Sequence, residues 1–202
     1  MLTQEEGREA VHLARNTIQN YVIENITLSS NLKGIFRQYQ GAFVTLHRYP
    51  EYHLRGCIGI PLPLMPLKEA IIEAATSATR DPRFPPLDKE ELTSIVIEVT
   101  ILTKPKVIPR EHPQDYLAEI QVGRDGLIAE QGVSKGLLLP QVPIEQGWNI
   151  EEFLSQTCIK AGLMPDAWFD KKTTISKFSG QIFTEITPGG KIKEKHIDGS
   201  DH

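Results

Sequence analysis

Apolar residues return along this chain in two rhythms. From Gln4 to about Ile23, the positions Val11, Ala14, Ile18, Tyr21 and Val22 recur at helical spacing. Thr3 followed by Glu6 makes a capping-box pattern at the start of that run. The spacing predicts an amphipathic helix with a solvated polar face. Leu67, Ala70, Ile71, Ala74, Ala75 and Ala78 predict a second helix, with Pro66 in its first turn. The stiff segment Asp81-Pro82-Arg83-Phe84-Pro85-Pro86 stops it. Ile150, Phe153, Leu154, Thr157, Cys158 and Ala161 predict a third. Asn149 is its cap, Glu151 and Glu152 suit its first turn, and Gly162 is placed as its C-terminal cap.

The second rhythm has period two. Gly41–Arg48 and His53–Ile60 flank Tyr49-Pro50-Glu51-Tyr52, which predicts a β-hairpin. Ser94–Thr103 alternates, with Ile95, Ile97, Val99 and Ile101 on one face. Glu98 sits on the other face, either as a solvated edge residue or as a site carboxylate. Residues 24–40 read as loop with a short turn, Asp88–Leu92 as a helical turn, and Asp115–Leu117 as the start of a short helix. Asp125-Gly126 is a strong hairpin signal, predicting two strands around it within Glu119–Glu130. Thr174–Phe178 and Gln181–Ile186 predict two strands around Ser179-Gly180. The stretch from Pro188 to His202 reads as a frayed tail after a domain spanning 1–187. Long helices mixed with strands on short turns give an α+β fold with a largely antiparallel sheet.

Composition narrows the function classes without choosing one. The 202 residues suit one large domain or two small lobes. A formal net charge of -4 gives no general drive toward nucleic acid or an anionic membrane. No apolar run approaches the roughly 18 residues that span a bilayer. The polar, acidic start Met1-Leu2-Thr3-Gln4-Glu5-Glu6 is unlike a signal peptide. The 2 cysteines, Cys57 and Cys158, make no disulfide framework and have no zinc-ligand spacing. These features lead to the expectation of a cytoplasmic protein with reduced thiols. Nothing in the sequence names a cofactor.

Candidate chemistry gathers in His53-Leu54-Arg55-Gly56-Cys57-Ile58-Gly59-Ile60. Strict alternation places Leu54, Gly56, Ile58 and Ile60 on one face and His53, Arg55, Cys57 and Gly59 on the other. Arg55 and Cys57 are then roughly 6.5 to 7 Å apart. A nearby cation favours thiolate over thiol. In that reading Cys57 is a nucleophile or redox thiol, and Arg55 lowers its pKa or clamps an anion. A strand cysteine serves equally as a small buried hydrophobe, and Arg55 can simply pair with a carboxylate. Gly56 and Gly59 suit a close approach by backbone or ligand. Asp81 and Arg83 either anchor something or form a local ion pair in an exposed loop. A general base is missing nearby: His53 is roughly 13 Å from Cys57 along a straight strand. His47 could approach across the hairpin. Cys158 lies on the inner stripe of its helix and reads as core.

Leu54-Arg55-Gly56-Cys57-Ile58-Gly59 resembles the signature of the AMMECR-one domain family. Asp81-Pro82-Arg83-Phe84-Pro85-Pro86 resembles its DxRFPP segment, and Val122-Gly123 through Gly126 its VGxxG segment. Leu139-Pro140-Gln141-Val142-Pro143 and Glu145-Gln146-Gly147-Trp148 resemble its LPxV and EQGW segments. The resemblance covers nearly the whole chain, in order. It implies two unequal α/β lobes, the larger built from both chain ends, with the signature at the cleft between them. It implies an activity that is unsettled in the family. The readings it leaves are an enzyme or enzyme subunit working through Cys57 and Arg55, and a binding or scaffold module using the same cleft. In either, Gly56, Gly59, Asp81, Arg83 and the aromatic Trp148 would serve binding of a small molecule or protein. Some relatives occur beside Memo-like and radical-SAM proteins, which implies possible partners in a modification pathway.

Overall fold

The computed structural model describes residues 1–195. In chain order its elements are α1 (Gln4–Glu24), β1 (Ala42–Arg48), β2 (His53–Ile60), α2 (Leu67–Ala78), β3 (Ile95–Leu102), β4 (Lys106–Val107), α3 (Asp115–Glu119), β5 (Asp125–Gln131), β6 (Ser134–Leu138), α4 (Gln141–Gln146), α5 (Ile150–Lys160), β7 (Thr174–Glu185) and β8 (Ile192–Lys195). Short 3-10 turns lie at Gly34–Arg37, Lys89–Thr93 and Ala167–Phe169. The fold is α+β, with antiparallel pairings of β1 with β2 and β3, of β7 with β4, β5 and β8, and of β5 with β6. The chain divides into two compact units.

Among the described residues, the first unit joins Met1–Thr103 to residues 181–195. Its strands run in the order β2-β1-β3-β7, with β8 on β7. Alternation along β1 and β3 sends Val44, Leu46, Ile95, Ile97 and Val99 to one face, where they are fully buried against α1 and α2. Thr3 caps α1 as its sequence predicts: its hydroxyl accepts from Glu6 N–H at 3.2 Å, and Glu6 accepts from Thr3 N–H at 2.7 Å. The helix is tied to the sheet by a buried ion pair. Arg15 Nε donates to Glu185 Oε1 at 2.9 Å, and its Nη groups reach the carbonyls of Leu92 and Ile95. Glu185 also accepts from Ile97 N–H at 3.0 Å. Every nitrogen of the guanidinium and both oxygens of the carboxylate therefore have a partner, which is what makes burying the pair tolerable.

The second unit, Lys104–Gly180 among the described residues, has the strand order β4-β7-β5-β6. Its core is built from Leu127, Ala129, Phe153, Leu154, Cys158 and Ile175. Asn149 caps α5 with Glu152, and Gly162 follows it at φ 76°, a left-handed conformation that suits glycine.

Three expectations need correction. The strand β5 begins at Asp125 rather than turning there. Asp125 instead folds back, accepting from Gln121 N–H at 2.9 Å and pairing with Arg124. Gly126 leaves room for the Phe178 ring across from it; a Cβ there would lie 2.3 Å from that ring. The real hairpin turn is Gly132-Val133, with Gly132 at φ 60°. Second, Ser179-Gly180 does not break a strand. Ser179 pairs with Asp125 and Ile182 with Lys195, so β7 runs unbroken through both registers. Third, the stretch read as a frayed tail contains β8, paired along Ile182–Glu185; the expectation for residues 196–202 lies outside the described residues. Helix α4 was not foreseen, because a six-residue helix carrying Pro143 shows no apolar period.

Candidate functional site

The hairpin of β1 and β2 carries the candidate chemistry, and its register is interrupted at one place. Leu46 faces Gly56 and His47 faces Leu54, so Arg55 has no partner and forms a β-bulge. The extra residue resets the alternation. Leu54, expected on one face with Ile58 and Ile60, stands opposite His47 and is 38% exposed. Beyond the bulge, Cys57 faces Thr45 on β1, and Thr45 faces Glu98 on β3. These three side chains form a row across three strands.

Arg55 is only 2% exposed. Its Nε and Nη2 each donate to one oxygen of Glu91 at 2.8 Å. Nη2 also donates to the carbonyls of Pro85 and Pro86 at 3.0 and 3.3 Å. The bidentate contact raises the Arg55 pKa and holds Glu91 below the usual carboxylate range. Glu91 also accepts from Asp88 N–H at 3.1 Å, in the capping box of its own 3-10 turn.

The second cluster comes from the segment after α2. Asp81 is buried, and its Oδ2 accepts from Cys57 N–H at 2.8 Å and from Arg83 Nη2 at 2.7 Å. Its Oδ1 accepts from Arg83 N–H and Nε, both at 3.0 Å. The Arg83 guanidinium holds the Asp81 carboxyl well below the usual carboxylate range, helped by the Cys57 and Arg83 backbone donors. Arg83 Nη2 also donates to Cys57 C=O at 3.3 Å. Its side chain remains 56% exposed.

Cys57 is half-buried, and the Thr45 hydroxyl donates to its Sγ at 3.3 Å. Burial pushes the thiol up from its ordinary value. The Thr45 hydrogen bond and the Arg83 charge pull the other way, while Glu98 and Asp81 add to the rise. Of the two readings of Arg55, the carboxylate pair is the one present. Its charge is taken up by Glu91, and the cation that acts on the thiol is Arg83.

The two glycines are explained by internal packing. A Cβ on Gly56 would lie 2.4 Å from the Ala78 carbonyl oxygen, at the end of α2. A Cβ on Gly59 would lie 2.2 Å from the Phe43 ring. Each makes room for a neighbour within the unit, so the close approach expected at both positions comes from the chain's own atoms.

Of the two readings of Glu98, the solvated edge residue is not what the structure has. It lies on β3, flanked by β1 and β7, with its side chain 13% exposed and Lys195 Nζ 3.6 Å away. A carboxylate in a run of β-branched residues was the available signal. Thr45 and Glu91 were not singled out, because cross-strand partners and the reach of a short turn depend on the register. The first unit thus brings together Arg55, Gly56, Cys57, Gly59, Asp81 and Arg83. Trp148 belongs to the second unit, where it packs half-buried against the core around Phe153. There Cys158 is fully buried, and burial pushes its thiol up to about 11. Both cysteines are free thiols.

No group of three or more His, Cys, Asp and Glu side chains among the described residues is arranged to hold a metal ion. No helix among them is long and apolar enough to cross a membrane.

An antiparallel α+β protein with a bulged, cysteine-bearing hairpin braced by an Asp-Pro-Arg-Phe-Pro-Pro segment is a well-defined class. The AMMECR1 family model matches residues 11–183, and the chain belongs to that family. It is 52% identical over 198 residues to Protein MJ0810 of Methanocaldococcus jannaschii, covering 98% of each chain. It is 49% identical over 205 residues to a protein of Thermococcus onnurineus, covering 97% of this chain and 98% of the other. The crystal structure of the uncharacterized protein PH0010 from Pyrococcus horikoshii matches with a TM-score of 0.83 at 46% identity, over 96% of this chain and 98% of that one.

Proposed function

We propose that this chain is a binding module, acting alone or as the binding subunit of an enzyme, and that Cys57 works in it as a neutral thiol. The working surface is the Cys57–Thr45–Glu98 row with Arg83 beside it. One observation carries the reading: both arginines near the thiol are committed to carboxylates, Arg55 to Glu91 and Arg83 to Asp81, and burial raises the Cys57 pKa. A neutral thiol flanked by a hydroxyl and a half-exposed guanidinium offers hydrogen bonds and a flat cationic surface to a small molecule or a protein segment. Arg55 serves this surface by fixing the bulge.

A second reading keeps Cys57 as a nucleophile. It is favoured by the Thr45 hydroxyl on Sγ and by Arg83, both of which lower the thiol pKa. The Memo-like and radical-SAM context implied by the family resemblance supports a modification pathway as the setting for either. Native mass spectrometry of protein incubated with cell metabolites, on wild type and Cys57→Ser, decides between them. Non-covalent ligand retained by both proteins supports the binding module. An adduct on Cys57 that disappears in Cys57→Ser overturns it in favour of the nucleophile.

A further inference from the structure

The second unit carries a cavity of about 570 Å³ bordered by β4, the chain that follows it, and the start of β7. That volume lies within the range of small-molecule sites, roughly 300 to 1,000 Å³. Its walls differ in character. Val107, Ile108, Pro109 and Ile175 give an apolar side, and Val107 is left 61% exposed. Arg110 and Lys171 give a cationic side.

Arg110 is held in place from several directions. Its Nη1 donates to the carbonyls of Trp168 and Phe169 at 2.8 and 3.3 Å, and its Nη2 to that of Asp170. Its guanidinium carbon lies 5.1 Å from the centre of the Tyr116 ring. Carbonyls and a ring position a guanidinium without cancelling its charge. A guanidinium has five N–H donors, and these carbonyls do not use all of them. Among the described residues, neither Arg110 nor Lys171 has a carboxylate in an ion pair. The lining holds one carboxylate, the exposed Glu111, against these two cations. The wall also contains an unmet polar group: Thr173 is 3% exposed, and its hydroxyl oxygen has no hydrogen-bond partner. Buried hydroxyls are ordinarily paired. Rotation about χ1 between staggered wells can offer this one to a ligand oxygen.

We propose that this cavity binds a small organic oxyanion: a carboxylate held by Arg110 and Lys171, on an apolar body laid against Val107, Ile108 and Pro109. All of its residues belong to the second unit, whereas Cys57, Thr45, Glu98 and Arg83 belong to the first. Benzoate is the probe, with benzamide as its neutral analogue and inorganic phosphate as an oxyanion without an apolar body. Each is titrated into the isotope-labelled full-length chain while backbone amide shifts are followed.

Benzoate is expected to give saturable shifts at Arg110, Lys171 and Thr173, with benzamide and phosphate at least about tenfold weaker. Lys171→Met should weaken benzoate about three- to tenfold, and Lys171→Arg should restore most of the loss. Lys171 is exposed, so both variants should keep the fold. Benzamide binding as well as benzoate would show that charge is not recognised. Phosphate binding equally well would show that the apolar wall contributes nothing. Either result overturns the proposal, as does the absence of saturable shifts at these residues.

Discussion

Asp81 accepts the backbone N–H of Cys57 at 2.8 Å through the same carboxylate that holds Arg83. One buried side chain thus fixes both the strand position of the thiol and the cation beside it. Asp81→Asn keeps an acceptor for the N–H but loses the charge. The variant should be destabilised by about 1–3 kcal/mol, because hydrogen bonds to a charged group are weakened while the site stays buried. Chemical denaturation at neutral pH measures this.

The same carboxylate sets an acid limb. Its folded pKa lies below its unfolded value near 3.9. The stabilisation is fully present above the unfolded value and is lost as pH falls through the folded one. Glu91 shifts in the same direction. Stability should therefore fall as pH drops below about 4, and Asp81→Asn should flatten that fall. Equal slopes for wild type and variant would mean that Asp81 does not titrate with folding.

Cys57 should alkylate slowly with iodoacetamide at neutral pH, and its rate should climb only above the ordinary thiol value near 8.5. Arg83→Met removes a charge that lowers this pKa and should push the rate profile to still higher pH. Arg55→Met should leave the profile nearly unchanged. A shift with Arg55→Met and none with Arg83→Met would reverse the roles assigned to the two arginines.

Arg55→Met should instead be felt in stability. It leaves the Glu91 carboxylate without its bidentate partner and the Pro85 carbonyl without its donor. Losing one member of a largely buried pair should be destabilising by roughly 2–4 kcal/mol, measured by denaturant midpoint.

Gly56→Ala and Gly59→Ala should differ. The first drives a Cβ into the backbone carbonyl of Ala78, the second into the Phe43 ring. A half-buried ring can swing aside, whereas a carbonyl at a helix end moves only with its helix. Overpacking of this kind is destabilising by about 1–3 kcal/mol, and Gly56→Ala should show the larger loss of thermal stability.

Helices α1, α2 and α5 were legible because each buries a regular stripe, and each start carries a cap or a proline that acts locally. The hairpin of β1 and β2 was legible for the same reason. What could not be read were effects set by distant residues. Arg55 looks like an ordinary strand position until its partner strand shows it unopposed. Asp125-Gly126 has the residues of a turn, yet Phe178 claims the space above the glycine. Glu98 looked like a solvated residue because its neighbour on the far side, β7, arrives from the other end of the chain. In the candidate site, the residues of both motifs were visible, and so was a carboxylate as one possible partner of Arg55, but its identity as Glu91 was not.

Among the described residues, strand β2 has β1 on one side only. At its midpoint the outward N–H and C=O of Cys57 are taken by Asp81 and Arg83. Two side chains there do what a further strand would otherwise do. An incoming polypeptide finds no free donor and acceptor pair at that point. A bare strand rim is a template for self-association, and at Cys57 this rim is not bare. A chain stripped of the Asp81 carboxylate would carry that liability at the very place where its thiol lies.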